Sequence, residues 1–201
     1  MSNELKFEKL GKVFVVRFTR PEIRNPLSLS VLSQLHEIVD ECAEDGNCDA
    51  LIFTGTATVF ASGANLNEIA MVTPDTAREF AMRGQSLMNK IAELPQITIA
   101  AINGYCFGGA LDLALACDQR ICSPIAKFAH PGTGLGIITG WGGTQRLPRL
   151  IGTTNALEMF FTADAIGADT ALRIGLVDLV ADDIFRNEIL DIKNLYANPT
   201  S

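Results

Sequence analysis

Residues 97–122 read ITIAAINGYCFGGALDLALACDQRIC, and this stretch decides the fold class. The apolar run Ile97–Ile102 has the length of a buried strand, and Asn103-Gly104 then turns the chain into a glycine-rich corner. Gly108-Gly109 opens a helix that continues to Cys117, and residues 118–122 are extended again. A strand, a helix and a second strand in this order predict an α/β fold with parallel crossovers.

The chain upstream of this stretch contains a predicted hairpin, two predicted helices and a short strand. Residues 6–19 read as a β-hairpin that turns at Gly11-Lys12. Ser30 is predicted to cap a helix that runs to Glu44, because apolar residues recur there at helical spacing. A second helix is predicted from Thr73 to about residue 92. Between the two helices, a short apolar strand leads into a loop of small residues.

The chain downstream continues the alternation of helices and extended segments. A second glycine-rich loop covers residues 132–143, and a helix is predicted to start at its end. Further helices are predicted over 155–161 and 169–173, followed by an extended segment at 177–180. No internal repeat, low-complexity segment or linker interrupts the pattern, so a single domain fits best.

The composition of the chain excludes several classes of protein. It has 201 residues, of which 48% are hydrophobic and 19% charged, and its net charge is −7. The apolar fraction is too high for a disordered chain, and the acidic balance argues against binding to nucleic acid or to an anionic membrane surface. No apolar run has the length of a membrane span, and the first residues have no signal-peptide pattern. We therefore expect a soluble, cytoplasmic protein.

Cysteine usage and motif spacing predict neither a metal nor a bound cofactor. The five cysteines are an odd number without metal-ligand spacing, so we interpret them as reduced core thiols. The glycine-rich segments lack the spacing of a dinucleotide site, and Ala110 and Leu111 stand where a phosphate-binding loop needs lysine and a hydroxyl. Neither a zinc-protease motif nor a nucleophile elbow is present.

Two corners of small residues remain as the candidate site. Ser62-Gly63-Ala64 and Gly108-Gly109-Ala110 each follow a buried strand, and such corners lie side by side where an α/β protein usually binds its ligand. Converging backbone N–H groups at a helix start would form an oxyanion hole. The alternative is that the glycines only permit tight turns.

Several motifs in register resemble the crotonase superfamily, the enoyl-CoA hydratase/isomerase family. The motifs that carry the resemblance are RPEIRNPL (20–27), FASGANL (60–66), INGYCFGGA (102–110), CD (117–118) and GGTQRL (142–147). Their order and spacing match the family over about residues 5–181. Any one motif alone would be a weak signal, whereas several in register are a strong one.

The resemblance implies a ββα spiral fold, an assembly of trimers or dimers of trimers, and an acyl-CoA substrate. The thioester oxygen of that substrate would be held by the backbone N–H groups of Ala64 and Gly109, which would stabilise an enolate. Coenzyme A is then part of the substrate, and no separate cofactor is implied. The residues expected near the substrate are Arg24, Pro26, Ser62, Asn65, Leu66, Asn67, Gly108 and Trp141.

The chain departs from the family at both acid–base positions. The hydratases carry two glutamates. In this chain the first of these positions matches Asp112 and the second matches Gly132, which has no carboxylate. Asp112 is expected to transfer protons, since a carboxylate in an apolar run should have a raised pKa; alternatively it only complements the helix dipole. His130 is a candidate for the missing second group, against a purely structural role. Isomerisation of a double bond or decarboxylation needs only one carboxylate.

The sequence therefore predicts two units and two candidate functions. Residues 1–182 are expected to form the acyl-CoA-binding domain, and residues 183–201 a short tail in place of the family's helical trimerisation region. The first hypothesis is a crotonase-type hydratase or isomerase, with efficient two-glutamate hydration in doubt. The second is a homologue that binds acyl-CoA without turning it over.

Overall fold

The computed structural model describes residues 4–182 and residue 184. The strands are β1 (Leu5–Leu10), β2 (Val13–Phe18), β3 (Pro26–Leu27), β4 (Ala50–Thr54), β5 (Val59–Ala61), β6 (Gly63–Ala64), β7 (Ile97–Ile102), β8 (Tyr105–Phe107), β9 (Gln119–Cys122), β10 (Lys127–Ala129), β11 (Ile166–Gly167) and β12 (Leu179–Val180). The helices are α1 (Leu29–Glu44), α2 (Leu66–Ile69), α3 (Pro74–Ala92), α4 (Gly109–Ala116), α5 (Gly143–Ile151), α6 (Thr153–Thr162) and α7 (Ala168–Arg173). Short 3-10 turns cover Pro21–Ile23 and Pro131–Leu135.

The main sheet has six strands in the order β1-β2-β4-β7-β9-β12. Strands β1 and β2 form the predicted antiparallel hairpin, and each remaining neighbour pairs in parallel. Residues along a strand alternate between the two faces. Phe14 and Val16 therefore join the main core, while Val15 packs in a smaller cluster on the opposite face. The predicted α/β class with parallel crossovers is confirmed.

A four-stranded sheet, in the order β11-β10-β8-β5, and the pair β3-β6 lie beside the main sheet. The chain enters this second layer through short strands: β8 follows β7 after the turn at Asn103-Gly104. The side chain of Asn103 holds the turn by donating to the carbonyl of Ala57, at 2.9 Å, and by accepting from the backbone N–H of Gly55. The glycine-rich corner is thus bonded to the loop after β4.

Helix α4 is the central element of the fold. Its residues from Ala110 to Ala116 are all buried, which is why this segment is apolar on every face. It packs against α3, α5 and the strands β6–β9. The predicted start of this helix at Gly109 is confirmed, and Asp112 is its one acidic residue.

Helix α1 starts earlier than the sequence pattern suggested. Ser28, not Ser30, is the N-cap, and its hydroxyl accepts from the backbone N–H of Val31 at 3.2 Å. Pro26 and Leu27 pair with β6, so the chain leaves an extended segment one residue before the helix and turns at Ser28. The backbone N–H of Leu29 donates a hydrogen bond to the carboxylate of Glu68, at 2.9 Å. The prediction was wrong because the cap depends on the pairing of β3 with β6, whose partner residues lie 37 positions apart along the chain.

The remaining sequence expectations concern the cysteines, the tail and membrane spans. All five cysteines are buried free thiols, as predicted. The predicted tail, residues 183–201, lies outside the described residues apart from Ile184, which packs on the small cluster of the main sheet. Within residues 4–182, no helix is both long and apolar enough to cross a membrane.

Candidate active site

A cavity of about 330 Å³ lies between α3, α4 and the loop that precedes α5. Most of its wall is apolar. The lining residues are Ser62, Ala64, Leu66, Ile69, Val72, Ala77, Phe80, Ala81, Gly108, Gly109, Asp112, Pro131, Gly132, Leu135, Ile137, Ile138, Thr139, Gly140 and Trp141. Asp112 is the one ionisable side chain among them. An elongated apolar ligand with one reactive polar end fits this distribution.

The two corners of small residues meet at the wall of the cavity. Gly63 has φ +86°, and a Cβ there would lie 2.6 Å from the backbone nitrogen of Gly109. A Cβ on Gly109 would in turn lie 3.4 Å from the backbone nitrogen of Ala64. The backbones therefore touch, and only glycine at position 63 allows this approach. The nitrogens of Ala64 and Gly109 lie at the wall of one cavity, beside the N-terminus of α4.

Asp112 lies one turn into α4 and is 1% exposed. Its carboxylate turns away from the helix start toward the loop before α5, where the hydroxyl of Thr139 donates to Oδ2. Burial raises the pKa of the carboxyl to about 6, against the opposing effects of Thr139, of the Trp141 and Gly143 backbone and of the charge of Arg146. A carboxyl with such a pKa exchanges its proton readily near neutral pH.

His130 lies behind Asp112 and is not among the cavity-lining residues. It is 3% exposed, and its ring packs on Phe160 at 5.1 Å between centroids. Burial lowers the pKa of His130 to about 4, so the ring is neutral at pH 7. Its Nε2 lies 3.6 Å from Oδ1 of Asp112. The structure brings the two predicted acid–base residues together, with only Asp112 open to the cavity.

Replacing His130 by phenylalanine should change how stability depends on pH. In the unfolded chain this histidine binds a proton below about pH 6.5, whereas in the folded protein it does so only below about pH 4. The wild type therefore loses stability as the pH falls through this range. The variant lacks this loss. Its unfolding free energy relative to the wild type should increase by roughly 3 kcal/mol between pH 6.5 and pH 4. Urea denaturation at several pH values measures the unfolding free energies of the two proteins. A difference between these free energies that does not change with pH would contradict the expectation.

Trp141 lines the cavity and lies between two helical glycines. A Cβ on Gly84 of α3 would lie 2.2 Å from the indole ring, and a Cβ on Gly109 of α4 would lie 2.5 Å from it. Phe80 packs on the ring at 5.9 Å between centroids. The indole therefore occupies the space that the two missing side chains leave, and it covers the N-terminus of α4 from one side.

Replacing Gly84 by alanine should destabilise the protein, opposite to the usual effect. Alanine normally stabilises a helix interior by about 0.5–1 kcal/mol relative to glycine, whereas here the new methyl group meets the Trp141 ring. We expect a loss of roughly 1–3 kcal/mol. Trp141 is the one tryptophan of the chain, so its fluorescence should shift as well.

The matched control for this change is Gly46→Ala, since nothing lies within 4 Å of a Cβ there. Thermal denaturation of the two variants, followed by tryptophan fluorescence, makes the comparison. A Gly84→Ala protein as stable as the wild type, with unchanged fluorescence, would contradict the tight packing of Trp141 against α3.

Comparison with known proteins decides the family. A family model described as enoyl-CoA hydratase/isomerase matches residues 8–200. The chain belongs to the enoyl-CoA hydratase/isomerase family. The predicted family is thereby confirmed, and the chain is a member of a family of enzymes.

The relatives of this family member include curated bacterial proteins. The chain is 40% identical over 181 residues to the short-chain-enoyl-CoA hydratase of Clostridium acetobutylicum, covering 90% of this chain and 69% of that protein. It is 41% identical over 174 residues to the crotonyl-CoA hydratase of Syntrophomonas wolfei, covering 86% of this chain and 67% of that protein. The chain thus spans about two thirds of the length of these relatives.

Solved structures of the family agree with the fold. The crystal structure of enoyl-CoA hydratase from Thermoplasma volcanium superposes with a TM-score of 0.91 at 29% identity, over 98% of this chain and 79% of that one. The structure of Pseudomonas aeruginosa DspI superposes with a TM-score of 0.86 at 32% identity, over 98% of this chain and 86% of that one. The predicted crotonase-like spiral fold is confirmed.

The structure brings some of the predicted site residues to the cavity and leaves others away from it. Those that line it are Ser62, Ala64, Leu66, Gly108, Gly109, Asp112 and Trp141; those that do not are Arg24, Pro26, Asn65, Asn67 and His130. Arg24 is exposed with φ +65°, and Asn65 caps α2 through the N–H of Asn67. Gly132, which the sequence analysis predicts to match the family's second glutamate, also lines the cavity.

Sequence reasoning missed Thr139 and Gly84, both of which shape the site. Thr139 bonds Asp112 although 27 residues separate them, and Gly84 makes room for Trp141. The only sequence signal for Gly84 is a glycine inside a strongly periodic helix, which usually has a packing reason. Among the described residues, no group of three or more potential ligands is arranged for a metal ion.

Proposed function

We propose that this family member acts on acyl-CoA thioesters by stabilising an enolate of the thioester. The single observation that carries the proposal is the meeting of the two small-residue corners beside Asp112, at the wall of a mostly apolar cavity. The thioester carbonyl would point at the backbone N–H groups of Ala64 and Gly109, and the acyl chain would lie against the apolar wall of the cavity.

The two N–H groups would act where negative charge develops on the thioester oxygen. Gly109 is the first residue of α4, so its N–H adds the partial positive charge of a helix N-terminus. The tightly packed indole of Trp141 beside it keeps water away from this point, and hydrogen bonds are stronger without competing water. Each such donor typically contributes about 3–4 kcal/mol to the transition state.

Asp112 would remove a proton from C2, the carbon next to the carbonyl group, and return it to C4 of the resulting dienolate. At pH 7 a carboxyl with a pKa of about 6 is mostly ionised and acts as a base, and it still binds a proton strongly enough to return it as an acid. Since Asp112 is the one ionisable side chain on the cavity wall, a single group serves both steps. This matches isomerisation of a 3-enoyl to a 2-enoyl thioester, in which one carboxylate moves a proton between two carbons.

Hydration is less well supported than proton transfer, because position 132 offers no second carboxylate to activate water. A Cβ on Gly132 would lie 2.8 Å from the carbonyl oxygen of Ile137, so the local backbone is adapted to glycine. The relatives named as hydratases nevertheless make crotonyl-CoA a necessary test substrate. A protein that binds acyl-CoA without turnover remains the alternative.

The remaining expectations about substrate contacts and assembly are part of this proposal. Arg24, Pro26 and Asn67 would meet the coenzyme A portion outside the cavity, and no further cofactor is needed. We propose a homotrimer or hexamer; the apolar side chains of Leu157 and Phe161, 44% and 76% exposed at helical spacing on α6, support self-association. Buried free thiols fit a reducing compartment such as the cytoplasm.

The experiment is a panel of thioesters given to the purified protein. Crotonyl-CoA tests hydration, a 3-enoyl-CoA tests isomerisation, and a malonyl-type thioester tests decarboxylation; calorimetry with a saturated acyl-CoA and with free coenzyme A measures binding. We expect 3-enoyl-CoA to be turned over faster than crotonyl-CoA. Binding of the saturated acyl-CoA with no turnover of any thioester would overturn the enzymatic proposal and leave the binding function.

A further inference from the structure

One carboxylate oxygen of Asp112 and one ring nitrogen of His130 face each other in the interior. Oδ1 of Asp112 and Nε2 of His130 are 3.6 Å apart, and the side chains are 1% and 3% exposed. Neither atom has a hydrogen-bond partner among the described residues. Buried polar atoms nearly always have a partner, so two orphaned atoms that face each other call for an explanation.

Gly143 makes this approach possible. A Cβ at position 143 would lie 2.2 Å from Oδ1 of Asp112 and 3.1 Å from Cε1 of His130. Any other residue at the start of α5 would push its side chain between the carboxylate and the ring. The space between the two groups is therefore kept open by the absence of a side chain.

The chemistry of the two groups is complementary. A neutral imidazole has one N–H and one bare nitrogen, and its surroundings select the nitrogen that carries the proton. An ionised carboxylate only accepts, so the proton belongs on Nε2 when Asp112 is ionised. Distances of this kind are often long in an unliganded site and shorten when substrate binds. A closure of a few tenths of an ångström makes 3.6 Å a hydrogen bond.

The other groups that act on Asp112 come from neighbouring elements. Arg146 of α5 favours the ionised carboxylate through its charge, and the hydroxyl of Thr139 donates to Oδ2. The thiol of Cys106 on β8 is fully buried, and burial raises its pKa, so it stays neutral beside Asp112. The backbone of Trp141 and of Gly143 also favours the ionised carboxylate through hydrogen bonding. The side chain that faces Oδ1 is that of His130.

We propose that His130 is a positioning residue that donates its Nε2–H to Oδ1 of Asp112 and thereby holds the carboxylate in its ionised form. The histidine itself does not touch the substrate, because it lies behind Asp112 and off the cavity wall. The role of Asp112 as the proton-transfer group rests on the proposed function, whereas the contact between the two side chains does not.

Two variants distinguish a hydrogen-bonding role of His130 from a packing role. His130→Gln keeps an N–H close to the position of Nε2, and His130→Phe keeps a ring that packs on Phe160 but has no donor. The readout is the titration of the Asp112 carboxyl by carbon-13 NMR, together with the pH midpoint of turnover. Loss of the donor should raise the pKa of Asp112 by roughly one unit in His130→Phe, and His130→Gln should restore the wild-type value.

The proposal is overturned if His130→Phe leaves the pKa of Asp112 unchanged, or if both variants raise it equally. Should His130→Phe fail to fold, nitrogen-15 spectra of the wild-type imidazoles show which ring nitrogen of His130 carries the proton. The chain has only two histidines, and we expect the Nε2–H tautomer for His130, whereas an Nδ1–H tautomer overturns the proposal. A wild type that turns over no thioester would refute the proposed function but leave the carboxyl titration intact as a test of the pair.

Discussion

Gly63→Ala is expected to lower turnover of an acyl-CoA substrate by roughly 10²–10³-fold. The new Cβ would lie 2.6 Å from the nitrogen of Gly109 and 2.7 Å from the carbonyl oxygen of Phe107. Both neighbours are backbone atoms, which cannot rotate away as a side chain would. The corner at Gly63-Ala64 must move off the start of α4, and the proposed convergence of the two N–H groups on the thioester oxygen would be lost. Steady-state kinetics and binding of a saturated acyl-CoA measure the loss.

Gly11→Ala is the matched control for this substitution. Gly11 has φ +65°, so alanine is strained there as well, but nothing lies within 4 Å of its Cβ. The control should show only the stability cost of a left-handed residue, about 1–2 kcal/mol, with unchanged turnover. If Gly63→Ala keeps wild-type turnover, the two corners do not form the oxyanion hole.

Asp112→Asn is expected to lower turnover by roughly 10²–10⁴-fold while acyl-CoA binding is retained. The amide has nearly the shape of the carboxylate and keeps an acceptor for the Thr139 hydroxyl, but it cannot exchange a proton with the substrate. Turnover of the wild type should itself rise with pH through about 6, as the carboxyl ionises. The control is Asp169→Asn, which changes an exposed aspartate in the first turn of α7.

The same variant should be more stable than the wild type at neutral pH. The folded state keeps the Asp112 proton up to about pH 6, whereas the unfolded chain releases it near 3.8, so the wild type loses stability as pH rises between these values. Asp112→Asn has no such loss, and its advantage should grow by about 2 kcal/mol from pH 4 to pH 6.5. Lower turnover combined with higher stability identifies a catalytic group, since misfolding would lower both.

Stability and function are in conflict at this carboxylate. Burial among apolar side chains disfavours its charge, and the same burial raises its pKa to about 6, where the proposed function needs it for proton transfer at neutral pH. Strained or unfavourable groups of this kind are found where function requires them.

Local patterns were sufficient for the elements whose signals are local. The hairpin at Gly11, the capped start of α3 at Thr73 and the opening of α4 at Gly109 all follow from turn residues and periodicity, and the structure confirms them. The start of α1 was misplaced because two serines offer the same cap, and the choice between them depends on β3 pairing with β6. Hydroxyl caps cannot be ranked without knowing where the preceding strand ends.

The sequence by itself determined the α/β class and the two small-residue corners, because glycines and apolar runs constrain the backbone wherever they occur. It also indicated the family, through the resemblance of several motifs in register. Only the tertiary structure decided that Thr139 bonds Asp112, that Trp141 lies on Gly84, and that His130 faces Asp112 rather than the cavity. These contacts join residues 18 to 57 positions apart in the chain. Their geometry depends on how the helices pack, since a short-range pattern carries no information about which distant side chain lies across a shared cavity.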